Sequence, residues 1–584
     1  MSKTEQAPST AALDLRDGRG VTLSAETVWG MYERGLSFNT ALDLNETVRV
    51  NENFFIGKQW EGVVSNGLPT PVFNILKRVA CFVVATITSD NIKVSAAPLS
   101  ASPDTQALVE PARIINEELD ALTERNEIPA LMREFTRNAA VDGDGCTFTW
   151  WDADAETGQD AKGAIRTEIL ENTQVFFGNP NDRAVQGQPY IIVSKREIVG
   201  MARREARENG APDWDSIMPD TNTNGLDSVK LTDDKVTTLL LLWREDETGH
   251  IWATKTTKTS VVREPWDLGL TLYPITWLNW DYIQDSYHGQ AMITGLIPNQ
   301  IFINKIYAMT HLSLMTTAFP KVVYDKTRVA KWDNRIGASI GINGGDVNSV
   351  ARIIDPATVS PQIAQFIELA VTQTEESLGA TSVALGDTRP DNTSAIIALQ
   401  RAAATPSELT KQNLYKSIED LYRIYIDFMA ANYGKRYVDV TTPPEVQQAY
   451  DFIQQQAPAE IPTEFDFSTL RDIPMNLKLD VGASSYYSEI ASIQTLDNLL
   501  KMNGISVLQY LERIPDGYIP ARRELINEIK AQQRQSMQAQ GMTGQAQGGG
   551  EVADQNQPPE VPTGGGYSAL QRKVNEAGTT EGIV

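Results

Sequence analysis

The polarity pattern is most unusual between Ser286 and Pro320, where SYHGQAMITGLIPNQIFINKIYAMTHLSLMTTAFP carries a single formal charge, Lys305. The pattern predicts a helix from Ser286 onward. A surface helix of a monomer shows one charged face, so a helix lacking one has protein on several sides. Asn299, Gln300, Asn304, His311 and several threonines interrupt the apolar run and make it a poor bilayer span. Its remaining partners are a core or identical neighbours.

Before this segment, residues 1–23 are polar and small, a loose arm. Ser24 to Trp60 reads as helix, ending at Gly57-Lys58-Gln59-Trp60. Pro71–Ser89 reads as a second, apolar helix with proline in its first turn. A strand at Ile92–Ala96 and helices at 104–125 and 128–141 follow. Alternation predicts strands at Cys146–Trp151, Ile165–Phe177 and Val236–Trp243, an α+β pattern, with Asn209–Asp234 as an excursion loop.

After Phe319-Pro320 come β-like runs at Lys321–Tyr324, Ser339–Ile342 and Val350–Ile354, separated by turn signals such as Asn343-Gly344-Gly345-Asp346. A helix opens at Ser360-Pro361 and closes at Gly379, spanning about 27 Å. Thr381–Thr393 is irregular, with Gly386 and Pro390 inside it. Helix resumes from Ser394 to Tyr433, broken at Pro406, where Thr405-Pro406-Ser407-Glu408 forms a capping box. Beyond the break Leu414, Ile418, Leu421, Tyr425 and Phe428 share one face, with Glu419, Asp420, Arg423 and Asp427 read on the other. Tyr487–Met502 and about 520–533 are helical, and the Gln- and Gly-rich tail from Gln535 has a disordered composition.

A chain of 584 residues has room for roughly two to four domains and a large core. Its 75 acidic against 51 basic residues, net −24, argue against a broad phosphate-gripping surface. Cys81 and Cys146 read as two reduced core thiols of an intracellular protein, and no secretory signal opens the chain.

Chemistry is sparse. His250, His288 and His311 lack the spacing of a zinc pair and read as structural, and no phosphate-binding glycine loop is present. Asp142-Gly143-Asp144-Gly145 is too short for a calcium loop and reads as a helix-to-strand turn. The pair Glu375-Glu376 reads as solvated helix surface. No catalytic, metal or cofactor site is expected, and the chain is read as no enzyme. Positive charge gathers locally at Lys321, Lys326, Arg328, Lys331 and Arg335, offset by Asp325 and Asp333. That cluster is either an ordinary mixed-charge loop or a docking tip for an acidic partner or a phosphate. Lys305 either pairs with a neighbour's carboxylate or faces water, in a ring as a belt along a channel.

The order of elements resembles the portal proteins of tailed bacteriophages, the head–tail connectors, over roughly residues 40–530. The resemblance rests on Phe54-Phe55-Ile56-Gly57-Lys58-Gln59-Trp60, on GLPTPVFNILKRV at Gly67–Val79, and on His288-Gly289 with Gln300 and Asn304. It rests also on Leu385-Gly386-Asp387 with Asn392-Thr393-Ser394 leading into the kinked helix. It implies a mainly helical α+β fold forming a ring of twelve copies. After the arm come a wing (24–284), a first stem helix (285–316), a clip (317–357) and a second stem helix (358–379). A tunnel loop (380–393), a long kinked helix with wing return (394–480), crown helices (481–533) and the tail (534–584) complete it. It implies a tunnel loop touching DNA through Ala384, Leu385, Gly386, Asp387, Thr388, Arg389 and Asn392, with Lys305 lining the channel. The expected partners are the chain itself, double-stranded DNA, the terminase large subunit, head-completion or adaptor proteins, and major capsid and scaffolding proteins. No membrane is expected, and the location implied is the capsid vertex, with assembly in host cytoplasm. The competing readings are another virion structural protein, such as an adaptor or capsid subunit, and a carboxylate or metal-dependent nuclease.

Overall fold

The computed structural model describes residues 23–65, 67, 69–89, 92–98, 105–158, 161–220, 234–318, 322–333, 335, 339–353, 362–376, 408–441, 460–472, 475–481 and scattered positions from 496 to 525. The chain divides into two compact units, Met1–Ser488 and Glu489–Val584.

The first unit opens with α1 (Ala25–Ala41) and α2 (Leu44–Ile56). Ser24 caps α1 by accepting from the Thr27 amide at 3.2 Å. The single helix expected over this stretch breaks at Leu42-Asp43, where Asp43 takes φ 50°. Helix α3 (Ile75–Ile87) starts four residues later than expected, leaving Pro71 outside it. The cause is Asn74, whose Oδ1 accepts from Lys77 N at 3.0 Å and sets the first turn. One face of α3 buries Leu76, Val79, Ala80, Val83 and Ile87. Cys81 lies on the opposite face and is exposed, so only Cys146 is a core thiol.

Strand β1 (Ile92–Pro98) precedes α4 (Thr105–Arg125) and α5 (Ile128–Asp142). Next, β2 (Asp144–Asp152) and β3 (Ala164–Leu170) pair antiparallel. The expected strand over Ile165–Phe177 is two strands, because β4 (Val175–Phe177) belongs to a different sheet. That sheet continues through β5 (Tyr190–Ile198), β6 (Lys235–Arg244), β7 (Ile251–Thr256) and β8 (Val261–Leu270), five antiparallel neighbours in chain order. Helix α6 (Val199–Glu208) follows β5 directly within the segment sequence left unread. Strand β9 (Ile275–Asn279) returns to pair with β2, closing the three-stranded sheet β3-β2-β9. Period-two burial sends Ile191 and Val193 of β5 into the main core and Ile192 to the other side, against Val28 and Tyr32 of α1.

Helix α7 (Ile297–Ala318), the antiparallel strands β10 (Val322–Tyr324) and β11 (Ala351–Ile353), and α8 (Gln362–Glu376) form the next block. Ser339–Ile342, expected as β-like, forms no strand. Helix α9 (Glu408–Asn432) then crosses the core, while residues 394–407 with Pro406 lie outside the described residues. Leu414, Ile418, Leu421, Tyr425 and Phe428 are all buried, as the spacing predicted. Each such side chain contributes about 1.5–3 kcal/mol. Asp427 corrects the reading of an opposite charged face: it is buried, accepting from Thr271 N at 2.7 Å and Leu272 N at 2.9 Å. Those two bonds pay for its burial by tying α9 to the β8–β9 turn. Strands β12 (Lys435–Thr441) and β13 (Glu460–Asp466) pair, and β14 (Met475–Val481) returns to β1. The architecture is α+β.

In the second unit residues 496–501 are helical. Tyr510 donates to Asp497 Oδ1 at 2.6 Å, and Leu511 and Ile514 are buried.

Candidate functional site

The long low-charge helix is the structural feature with consequences, and two buried polar clusters fix where it begins. In the first, Gln300 on α7 reaches the start of α3. Its Oε1 accepts from Ile75 N at 3.1 Å and Leu76 N at 3.3 Å, two amides that α3 itself leaves without partners. Its Nε2 donates to Phe73 O at 2.7 Å and Asn304 Oδ1 at 3.0 Å. Asn304 Nδ2 passes the chain of bonds to Gln59 Oε1 at 2.6 Å, and Gln59 donates to Phe54 O at 3.1 Å. Asn74 Nδ2 donates to Phe55 O at 2.8 Å, closing the end of α2. Gln59, Gln300 and Asn304 are all buried. Two motifs near the start of the chain and a third far along it are thus one hydrogen-bonded junction. Their spacing gave no sign of it, because the partners stand more than two hundred residues apart.

The second cluster replaces what was read as the first turns of the helix. Ser286–Leu296 is not regular α-helix, and α7 begins only at Ile297. Tyr287 and His288 are drawn into the core instead. His288 Nδ1 faces Asp144 Oδ2 at 2.8 Å and its Nε2 faces Asn39 Oδ1 at 3.1 Å. Asp144 Oδ1 also accepts from Asn279 Nδ2 and Gly289 N, both at 2.7 Å. Two glycines permit this. Gly143 takes φ 101°, and a Cβ there would meet Gly289 O at 2.6 Å. A Cβ on Gly289 would meet Asp281 O at 2.7 Å. The Asp142–Gly145 stretch is therefore a helix-to-strand turn held against this segment.

Close by, burial and the neighbouring Glu52 push Asp142 up to about 8, with Arg137 opposing them. Arg137 bridges Glu52 at 2.5 Å and Asp142 at 3.7 Å. Among the described residues no histidine, cysteine and carboxylate group is arranged to hold a metal ion. The same residues include no helix long and apolar enough to cross a membrane. A cavity of about 550 Å³ between the two main sheets is lined by Phe148, Trp151, Leu242 and Phe428, with Lys255 at its rim bound to Glu197 and Glu205.

Beyond the junctions, α7 and α8 lie side by side, joined at Asn299 Nδ2 and Thr374 Oγ1, 3.4 Å apart. Their outer faces are apolar and open. Phe302 is 50% exposed, Met309 69% and Leu312 39%, while Phe366 and Leu369 of α8 are 60% and 52% exposed. Lys305 sits in the α7 stripe, exposed and in no ion pair among the described residues. The hairpin β10–β11 at the far end has a small core of Val329 and Val350, with Tyr324 stacked on Trp332. Of its predicted cations, Arg328 engages Asp325 at 3.6 Å and Arg335 engages Asp333 at 2.6 Å. The hydroxyl and amide of Thr327 hold the Asp325 carboxyl below its usual range. Lys326 and Lys331 are exposed without an ion pair among the described residues. Lys321 and the loop residues Ala384, Leu385, Gly386, Asp387, Thr388, Arg389 and Asn392 lie outside the described residues.

A family model described as phage P22-like portal protein matches residues 194–558, well over half of the chain. No curated protein matches significantly.

Proposed function

The chain belongs to the phage P22-like portal protein family, and from that premise we propose that it is one protomer of a ring through which double-stranded DNA enters and leaves a capsid. The family is structural, a virion component at the capsid vertex. The observation that carries the ring is the pair of open apolar faces on α7 and α8. A chain of net charge −24 has ample polar surface, yet leaves Phe302, Met309, Leu312, Phe366 and Leu369 in water on adjacent helices. Contiguous apolar surface of that kind is a contact face. A closed ring joins unlike faces of successive copies, and two different helices supply them. We put the number of copies at twelve.

The mechanism is geometric. An acidic ring repels the DNA backbone and lets it slide, and positive charge at a few heights keeps it centred. The loop carrying Ala384, Leu385, Gly386, Asp387, Thr388, Arg389 and Asn392 forms the constriction. The β10–β11 tip, where Lys326 and Lys331 are in no ion pair among the described residues and Arg328 and Arg335 belong to the same segment, docks the terminase large subunit and then head-completion or adaptor proteins, and Lys321 is assigned to the same docking set. Major capsid and scaffolding proteins meet the outer surface. Negative-stain images and light scattering of purified protein test the ring. Annular particles with a mass that is a whole multiple of 64.4 kDa are expected. A single 64.4 kDa species at every concentration overturns the reading.

A further inference from the structure

We propose that Lys305 of one copy and Glu368 of the next form an ion pair inside the apolar contact between α7 and α8, setting the register of neighbouring protomers. The proposal rests on the ring reading and specifies which faces meet. Helices α7 and α8 run antiparallel, since Asn299 near the start of α7 touches Thr374 near the end of α8. Lys305 lies six residues beyond Asn299, and Glu368 lies six residues before Thr374. At 1.5 Å per residue both stand about 9 Å along the helix pair from that contact. They occupy the same height.

Height decides which residues meet in a ring. Rotation about the ring axis moves a residue sideways and never along the axis. For helices running along that axis, a contact between copies joins residues of equal height. Phe302, Lys305, Met309 and Leu312 recur on α7 with spacing three, four and three, a single stripe. Glu368 lies on the exposed side of α8 beside Leu369, with Phe366, two residues earlier, across the helix from it. Phe302 falls within two residues of the height of Leu369, and Met309 within two of Phe366. Phe302 of α7 is thus placed to meet Leu369 of α8 beside the charges. Within one protomer Lys305 and Glu368 are both exposed, and neither has an ion pair among the described residues. One cation on α7 and an unpaired carboxylate level with it satisfy each other only between copies. Covered by the flanking apolar side chains, each needs the other, because a lone charge in such a contact is strongly unfavourable.

The test uses the full chain. Lys305→Glu and Glu368→Lys singly are expected to lower the ring fraction about tenfold or more by light scattering at equal concentration. The double exchange restores most of it. Melting of the dissociated protomer should be unchanged in all three, since both positions are solvent-exposed there. Single variants that assemble like the wild type overturn the pairing and place Lys305 on the channel or outer surface. Two damaging singles with no recovery in the double also overturn it. As a direct readout, Lys305→Cys with Glu368→Cys in a Cys81→Ser background should give, with a short bis-maleimide that spans the gap left by the two long side chains, a ladder of covalent multimers. Rings that yield only monomers on a non-reducing gel overturn the pairing and leave the ring reading standing. A wild-type chain that never forms rings sinks both.

Discussion

Gln300→Leu is the sharpest perturbation of the junction that seats α7. The substitution keeps side-chain bulk and removes four hydrogen bonds: from Ile75 N, from Leu76 N, to Phe73 O and to Asn304 Oδ1. The stranded groups differ in their access to water. Leu76 is fully buried, so its amide stays unsatisfied at a cost of about 1–3 kcal/mol. Ile75 N and Phe73 O keep their own bond at 2.8 Å, whereas the buried Asn304 Oδ1 loses its donor at a similar cost of about 1–3 kcal/mol. The total, about 2–6 kcal/mol, is felt as local opening of the first turn of α3. Hydrogen exchange read by mass spectrometry over residues 73–80 is therefore expected to speed up about a hundredfold or more. Gln300→Glu separates the two halves of the interaction. Its carboxylate still accepts from both amides, at a helix N-terminus that favours negative charge. It has lost the donor and sets an oxygen against Phe73 O and Asn304 Oδ1. The start of α3 should stay protected while exchange rises in the preceding loop. Exchange over 73–80 unchanged within about threefold in Gln300→Leu would refute the assignment of Gln300 as the cap of α3.

Three further outcomes are expected. Leu421→Asp puts a carboxylate at a fully buried position of α9 and should cost more than about 4 kcal/mol, seen as loss of folded protein by circular dichroism; normal yield contradicts it. Lys326→Glu with Lys331→Glu should weaken pull-down of the head-completion partner and leave the ring intact, whereas unchanged capture removes the hairpin from docking. Asp142→Asn tests linkage. A carboxyl raised from 3.8 to about 8 holds its proton more tightly when folded, so its full contribution is present below about pH 4 and is lost as pH rises to about 8. The variant's gain in denaturation midpoint should therefore grow between about pH 6 and pH 9. A gain equal at both values contradicts the raised carboxyl.

Periodicity made the regular elements legible wherever one face is buried and the other wet. Helix α9 followed its spacing because burial recurs along it with the period of the element, whereas β2 formed where expected although its first six residues are all buried. The same signal failed at Ser286–Leu296. A loop drawn into the core has the composition of a buried helix, and Tyr287, Met292 and Ile293 would be buried in either. What decides between them is the meeting of Gly143 with Gly289 and the capture of His288 by Asp144, contacts made across 144 residues of chain. Strands β5, β7 and β8 went unread for a related reason. Their mixed charges, such as Lys255 set between Glu197 and Glu205, look like surface until the partners are known.

Gln300, Asn304 and Lys305 show what a sequence pattern can and cannot say about polar residues in an apolar helix. Side by side they look equally out of place, yet their solutions differ. Gln300 and Asn304 turn inward, where backbone and amide groups give each of their side-chain polar atoms a partner, and so they orient α7 rather than expose it. Lys305 turns outward on the stripe that Phe302 and Met309 share, where nothing among the described residues of its own protomer answers its charge. Helical spacing alone separates the two faces only after one of them has been anchored, and the anchor is the Ile75–Leu76 end of another helix. Once α7 is anchored and Asn299 is matched to Thr374, the height of every outward residue is fixed, and in the proposed ring a lone cation says at what height the next copy would carry its carboxylate.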